Sequence, residues 1–170
     1  AAPDQAALSR LHAAQIPPQT SRFIGRTHEL ETLRHYITNG FRVCTIVGAA
    51  GAGKTRFAIE ATHTLNQIFP GGIIFIDLTR ISCARELPST ITSAAGLRQT
   101  MSSKEEILQA LSLRFFGTST LVLLDNFEHI VDCAEFIQEL VLAAPKLCVL
   151  ITSREALRIP AERVLHIQPF

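Results

Sequence analysis

Eight consecutive residues, Gly48-Ala-Ala-Gly-Ala-Gly53-Lys54-Thr55, satisfy the pattern G-x-x-x-x-G-K-S/T at every required position. Each required type has a task in holding a polyphosphate. Glycines let successive backbone N–H groups turn toward anionic oxygens, a lysine brings a cation to the β and γ phosphates, and a threonine hydroxyl is a hard ligand for Mg²⁺. With average glycine usage near about 7%, chance yields this octet in fewer than about one chain in a hundred of this length. Gly48, Ala49, Ala50, Gly51, Ala52, Gly53, Lys54, Thr55 and Arg56 are therefore candidate nucleotide-binding residues, with Lys54 also a candidate catalytic cation.

Such a loop works with a carboxylate at the end of a second strand, which holds the metal through its water shell. Asp77 ends the run Ile73-Ile-Phe-Ile, and Asp125 ends Leu121-Val-Leu-Leu. Asp125 is favoured, and pairs with Thr55 as the metal-side set. Four aliphatic residues before it suit an inner strand, and Asn126 and Glu128 gather polar groups beside it. Asp77 reads as a strand-end turn residue that accepts backbone hydrogen bonds. Hydrolysis also needs a group that orients water and one that senses the γ phosphate. An amide at Asn126 positions water without taking a proton, and Glu128 follows two residues later; the residues leave open which of the two acts. Arg154, after the apolar run in Leu150-Ile-Thr-Ser-Arg154, is the candidate sensor.

The elements that must position these groups are legible as periodicity. A helix is expected from Thr27, with Leu30, Leu33, Tyr36 and Ile37 on one face and Asn39-Gly40 as its stop. Strands are expected at 41–47, 73–77, 120–125, 147–152 and, more briefly, 164–167. Helices are expected over 54–68, weakly over 83–97 because of Pro88, over 103–116 and near 132–144. Ser103 and Glu106 have capping-box spacing. Alternating helices and continuously apolar strands predict an α/β three-layer sandwich around a parallel five-stranded sheet, with ligands at the carboxyl ends of its strands.

Length and composition bound the rest. A chain of 170 residues, 47% apolar and 18% charged, is about one domain and not a disordered segment. Residues 23–170 form the expected domain. Residues 1–22, with Gln15-Ile-Pro-Pro-Gln-Thr-Ser21, read as an interdomain linker or N-terminal extension because paired prolines exclude helix. Sixteen Lys and Arg against fifteen Asp and Glu provide no general footprint for a phosphate backbone, so direct nucleic-acid binding by this segment is not expected. The apolar runs fall far short of the roughly 20 residues of a spanning helix, and no basic-then-apolar leader opens the chain; a cytoplasmic protein without membrane contact is expected. Cys44, Cys83, Cys133 and Cys148 show no CxxC or zinc spacing, and buried reduced thiols are the expectation.

Taken in order, four segments carry a family resemblance: Phe23-Ile-Gly-Arg26 before a Glu-Leu helix, the loop at 48–55, Leu123-Leu-Asp-Asn-Phe-Glu-His129, and Ala144-Pro followed by Leu150-Ile-Thr-Ser-Arg-Glu155. Together they resemble the nucleotide-binding domain of STAND ATPases, the NB-ARC-like P-loop NTPases, and within these the bacterial subgroup of LuxR-type and related transcriptional regulators. The resemblance spans about residues 17–170. It implies the additional-strand sheet order, with the fourth strand between the first and third. It also implies adenine and ribose contacts at Phe23, Ile24, Gly25 and Arg26, a γ-phosphate sensor at Arg154, and ATP or ADP with Mg²⁺ as ligands. A switch domain with slow ATP hydrolysis follows, flanked in its parent chain by helical and winged-helix domains and capable of ATP-driven homo-oligomerisation. Thr27 departs from the usual Glu, and Asn126 from the second acidic residue of animal and plant relatives. The alternatives are a P-loop small-molecule kinase, for which Arg80, Arg85 and Arg98 form no lid cluster, and an AAA+-type DNA loader or remodeller, for which the charge is too near neutral.

Overall fold

A computed structural model describes residues 16–98 and 100–170. The Ala-rich part of the expected extension, with Leu8 and Leu11, lies outside the described residues. In chain order the elements are α1 (Thr27–Thr38), β1 (Val43–Val47), α2 (Lys54–Leu65), β2 (Ile73–Asp77), α3 (Leu87–Ala94), α4 (Lys104–Arg114), β3 (Thr120–Asp125), α5 (Ala134–Ala143), β4 (Leu147–Ser153) and β5 (Glu162–His166). The five strands form one parallel sheet in the order β2-β3-β4-β1-β5, with β4 inserted between β1 and β3 as expected.

Successive residues of a strand face opposite sides of the sheet. Leu121 and Leu123 of β3 join Cys148 and Leu150 of β4 on the side covered by Leu33 of α1 and by Phe57, Ala61 and Leu65 of α2. Val122, Leu124, Val149 and Ile151 face the other side, where Leu87 and Ile91 of α3, Leu111 of α4 and Ile137 and Leu140 of α5 pack on them. Both faces are dry, which is why these strands read as unbroken apolar runs. Burying each such Leu or Ile contributes about 1.5–3 kcal/mol, and the two central strands supply most of that surface.

Local chemistry sets the element ends. The Ser103 Oγ accepts from the Glu106 N–H at 3.2 Å, and Glu106 Oε2 accepts from the Ser102 N–H at 3.0 Å, so the expected cap forms with its return bond one residue earlier. Pro88 sits in the first turn of α3, where its missing N–H costs nothing, and a separate 3-10 turn at Ala84–Glu86 precedes it. The expected helix over 83–97 is therefore shorter. The helix over 54–68 ends as a 3-10 turn at Asn66–Ile68, and a 3-10 turn at Val131–Cys133 leads into α5. Cys44 and Cys148 are buried, but Cys83 is exposed and Cys133 only half-buried, correcting the expectation of four buried thiols; both lie in turns above the sheet, outside its apolar strands.

Candidate functional site

The loop at 48–55 joins β1 to α2 at the carboxyl edge of the sheet. Gly51 and Gly53 hold φ of 77° and 81°, left-handed values that side chains rarely adopt. Gly48 is glycine for another reason: a Cβ there would stand 2.5 Å from the carbonyl oxygen of Ile167. The Lys54 ammonium donates to the carbonyls of Gly48 and Ala49 at 2.8 and 2.9 Å, folding back across the loop it serves.

From α2 the Thr55 hydroxyl donates to both carboxylate oxygens of Asp125, at 2.8 and 3.0 Å. Asp125 is only 3% exposed at the end of β3. A second hydroxyl, from the fully buried Thr152 of β4, also donates to Asp125 and at the same time accepts the Asn126 N–H at 3.0 Å. Burial pushes the Asp125 carboxyl above the usual carboxylate range, the Thr152 and Thr55 hydroxyls oppose that, and the neighbouring Asp77 and Glu128 charges add to it.

Asn126 adopts a left-handed backbone, φ 65° and ψ 54°, which turns its amide over the sheet edge. Its Nδ2 donates to Asp125 at 3.0 Å and reaches Asp77 at 3.4 Å. Asp77 is opposite Asp125 in the β2–β3 register and accepts from the N–H and hydroxyl of Thr79, the strand-end turn role expected of it. Partial burial alone would raise its carboxyl; the Thr79 and Asn126 hydrogen bonds and nearby Arg80 outweigh this and hold it below the usual range. Glu128 forms an ion pair with Arg154 at 3.5 Å, and its Oε2 is buried with no partner among the described residues. Ala50, Gly51, Gly53, Lys54, Thr55, Arg56, Asn126, Glu128 and Arg154 line one cleft of about 380 Å³. All the residues expected to do chemistry meet there except Asp125, which sits behind Thr55.

A second cleft of about 380 Å³ adjoins it through Gly53 and Arg56 and is lined by Arg22, Phe23, Ile24, Arg26 and Phe170. Gly25 and Arg26 both have positive φ, 84° and 61°. The Arg26 guanidinium, on a side chain 6% exposed, donates to the carbonyls of Ala52 at 3.2 Å and Gln168 at 2.6 Å and lies 4.2 Å from the Phe170 ring centre. Arg56 donates to the carbonyls of Ser21 and Arg22 at 3.0 and 2.6 Å, while its Nε is buried without a partner among the described residues.

A family model described as the AAA domain matches residues 37–156. The chain belongs to the AAA domain family. Its AAA domain is 36% identical over 128 residues to a protein named "Putative HTH-type transcriptional regulator" in Mycobacterium tuberculosis, a match covering 71% of this chain and 13% of that protein. A 45-residue stretch is 42% identical to the transcription activator GutR of Bacillus subtilis, 26% of this chain and 5% of that one. The chain thus spans about an eighth of the mycobacterial regulator's length. Among solved structures, the AAA domain superposes with a TM-score of 0.63 on a Signal Transduction ATPase with Numerous Domains protein from Pyrococcus horikoshii that has a tetratricopeptide repeat sensor, at 21% identity over 89% of this chain and 24% of that one. It superposes at 0.62 on Cdc6p of Pyrobaculum aerophilum, at 15% identity over 96% and 49%. At these identities the likeness establishes the P-loop fold.

The AAA fold implies a nucleotide and Mg²⁺, and the donor set fits both. Among the described residues no three His, Cys, Asp or Glu side chains gather closely enough to hold a metal alone. Mg²⁺ keeps several waters and takes phosphate oxygens, so one hydroxyl and one carboxylate from the protein suffice. Arg56 and Glu128 line the same cleft, each with one side-chain atom, Nε and Oε2, buried and without a partner among the described residues. Among the described residues no helix is long and apolar enough to cross a membrane. Sequence reading missed the linking part of Thr152. Its signal was a hydroxyl in the first polar residue after Leu147–Ile151, on the strand between β1 and β3. Phe170 was also missed, since a lone aromatic near the end of β5 carries no pattern.

Proposed function

We propose that this AAA domain is the ATP- and ADP-binding switch of a multidomain transcriptional regulator of the STAND type, related to the LuxR-type and NB-ARC-like groups, with slow Mg²⁺-dependent hydrolysis. The observation that carries the reading is the Thr55–Asp125 pair. A loop hydroxyl on a buried strand-end carboxylate sets a hard oxygen pair directly behind the glycine-rich turn. In this reading the backbone N–H groups of 49–55 and Lys54 bind the phosphates, and Lys54 exchanges its two loop carbonyls for β and γ oxygens. Thr55 and Asp125 would hold Mg²⁺, which when bound would neutralise phosphate charge. Asn126, its amide already committed to two carboxylates, holds Asp125 in place, and Glu128, through the Oε1 that Arg154 releases, orients the attacking water. Arg154 leaves Glu128 for the γ phosphate. Phe23, Ile24, Gly25 and Arg26 border the base and ribose.

A nucleotide shifts a switch only through different affinity for its two states. The helical and winged-helix domains of the parent chain, and its self-association, belong to the same reading, as does a DNA contact made by another segment. The test is titration of fluorescent ATP and ADP with and without Mg²⁺, alongside phosphate release. Wild type binds both nucleotides, and Lys54→Ala binds them at least about tenfold more weakly. Asp125→Ala loses Mg²⁺ dependence while Asp77→Ala keeps it. Equal binding by wild type and Lys54→Ala overturns the reading.

A further inference from the structure

The turns that follow β2 and β3 meet above the carboxyl edge of the sheet, and each carries a cysteine. Cys83 precedes the turn Ala84–Glu86, Cys133 ends the turn Val131–Cys133, and the two turns pack against each other. The Cys133 Sγ donates to the carbonyl oxygen of Ala84 at 2.6 Å, so it rests against the residue next to Cys83. Cys83 is extended, φ −148° and ψ 160°, and exposed, with its Sγ 3.5 Å from Glu86 Oε1. The remaining two thiols are sealed in the sheet: burial pushes Cys44 up to about 12 and Cys148 higher still, which leaves both inert.

An exposed thiol beside a half-buried one is the arrangement of an attacking and a resolving cysteine. We infer that Cys83 and Cys133 are a redox modification site, which low-molecular-weight disulfides such as oxidised glutathione convert to an intramolecular disulfide. The Cys83 thiolate attacks one sulfur of the small disulfide, forming a mixed disulfide and expelling one thiol. Cys133 then loses its proton to solvent, attacks the Cys83 sulfur and expels the second thiol. Two protein thiols are oxidised and one small disulfide is reduced to two thiols, with no other reactant. The new bond joins the segment leaving Asp77 to the segment leaving Asp125, Asn126 and Glu128, so oxidation reaches the carboxylate edge of the cleft without touching a phosphate contact. Burial first, then the charges of Asp132 and Cys83, push the Cys133 thiol up, so the resolving step quickens as pH rises above neutrality.

The 170-residue chain is incubated with oxidised glutathione at several pH values, alkylated, and mapped by mass spectrometry. The expected product is about 2 Da lighter than the reduced chain before alkylation, with a Cys83–Cys133 cross-linked peptide that forms faster at higher pH. Cys133→Ser stops at a Cys83–glutathione adduct, and Cys83→Ser stays unmodified. A lasting glutathione adduct on Cys83 of the wild type, an intermolecular Cys83 dimer, or a disulfide through Cys44 or Cys148 overturns the inference. The wild-type map decides without either variant.

Discussion

Thr152→Val removes one hydroxyl and nearly nothing else, and the structure assigns that hydroxyl two bonds. It donates to Asp125 and accepts the Asn126 N–H, with Thr152 fully buried. A bond to a charged acceptor is worth about 1.5–3 kcal/mol, and a buried N–H left without a partner costs about 1–3 kcal/mol. The added methyl returns about 0.8 kcal/mol, and Thr55 and Asn126 Nδ2 continue to serve Asp125. A net loss of about 2–4 kcal/mol is expected, a sizeable share of the roughly 5–15 kcal/mol that holds a domain folded. Urea unfolding of the metal-free chain reads this as a midpoint lower by about 1–2 M at unchanged slope. Thr152→Ser keeps the hydroxyl and loses one methyl, so it is expected to cost about 1 kcal/mol. If valine and serine cost the same, or valine costs under about 0.5 kcal/mol, the two bonds do not do what is argued.

Gly48→Ala drives a Cβ to within 2.5 Å of the Ile167 carbonyl, and since neither is the end of a flexible side chain, a loss of about 1–3 kcal/mol is expected by thermal unfolding. Burial holds the Asp125 carboxyl above the usual range, so the folded state retains its proton longer than the unfolded state does. Stability from this group is therefore full below about pH 3.9 and falls as pH rises through the raised value; in chelator, Asp125→Asn is expected to flatten that fall in a series of urea midpoints. Arg154 is 63% exposed, so Arg154→Ala leaves stability nearly unchanged. Competition titration should show ATP weakened about tenfold and ADP little affected; equal loss for both would remove Arg154 as the sensor.

Much of the sheet was legible because both faces of its strands are dry. Leu121–Leu124 and Leu147–Ile151 admit no polar residue, and each run gives way to polar residues, still buried, at the carboxyl end of its strand: Asp125 in β3, Thr152 and Ser153 in β4. The glycine-rich loop was legible because its positions answer to backbone angles and charge more than to neighbours. Thr152 was harder to see: its importance lies in a partner 27 positions away, brought close only because β4 is inserted beside β3. Arg26 and Arg56 read as ligand-facing residues, yet their guanidiniums are largely occupied by backbone carbonyls of chain segments remote in sequence. The helix over 83–97 was overextended because Pro88 starts a helix as readily as it ends one.

Arg26 also has a mechanical reach. One guanidinium spans the phosphate loop at Ala52 and the chain leaving β5 at Gln168, with bonds of 3.2 and 2.6 Å and the Phe170 ring closing over it. Hydrogen bonds are lost beyond about 3.5 Å, so a shift of about 1 Å in the chain after β5 breaks the Gln168 bond unless Arg26 follows it, and an arginine that follows strains the longer bond to Ala52. The rim of the glycine-rich turn and the strand exit on the far side of β1 thus behave as two ends of a short lever. Its pivot is the left-handed residue at 26, and both of its bonds form without any phosphate group taking part.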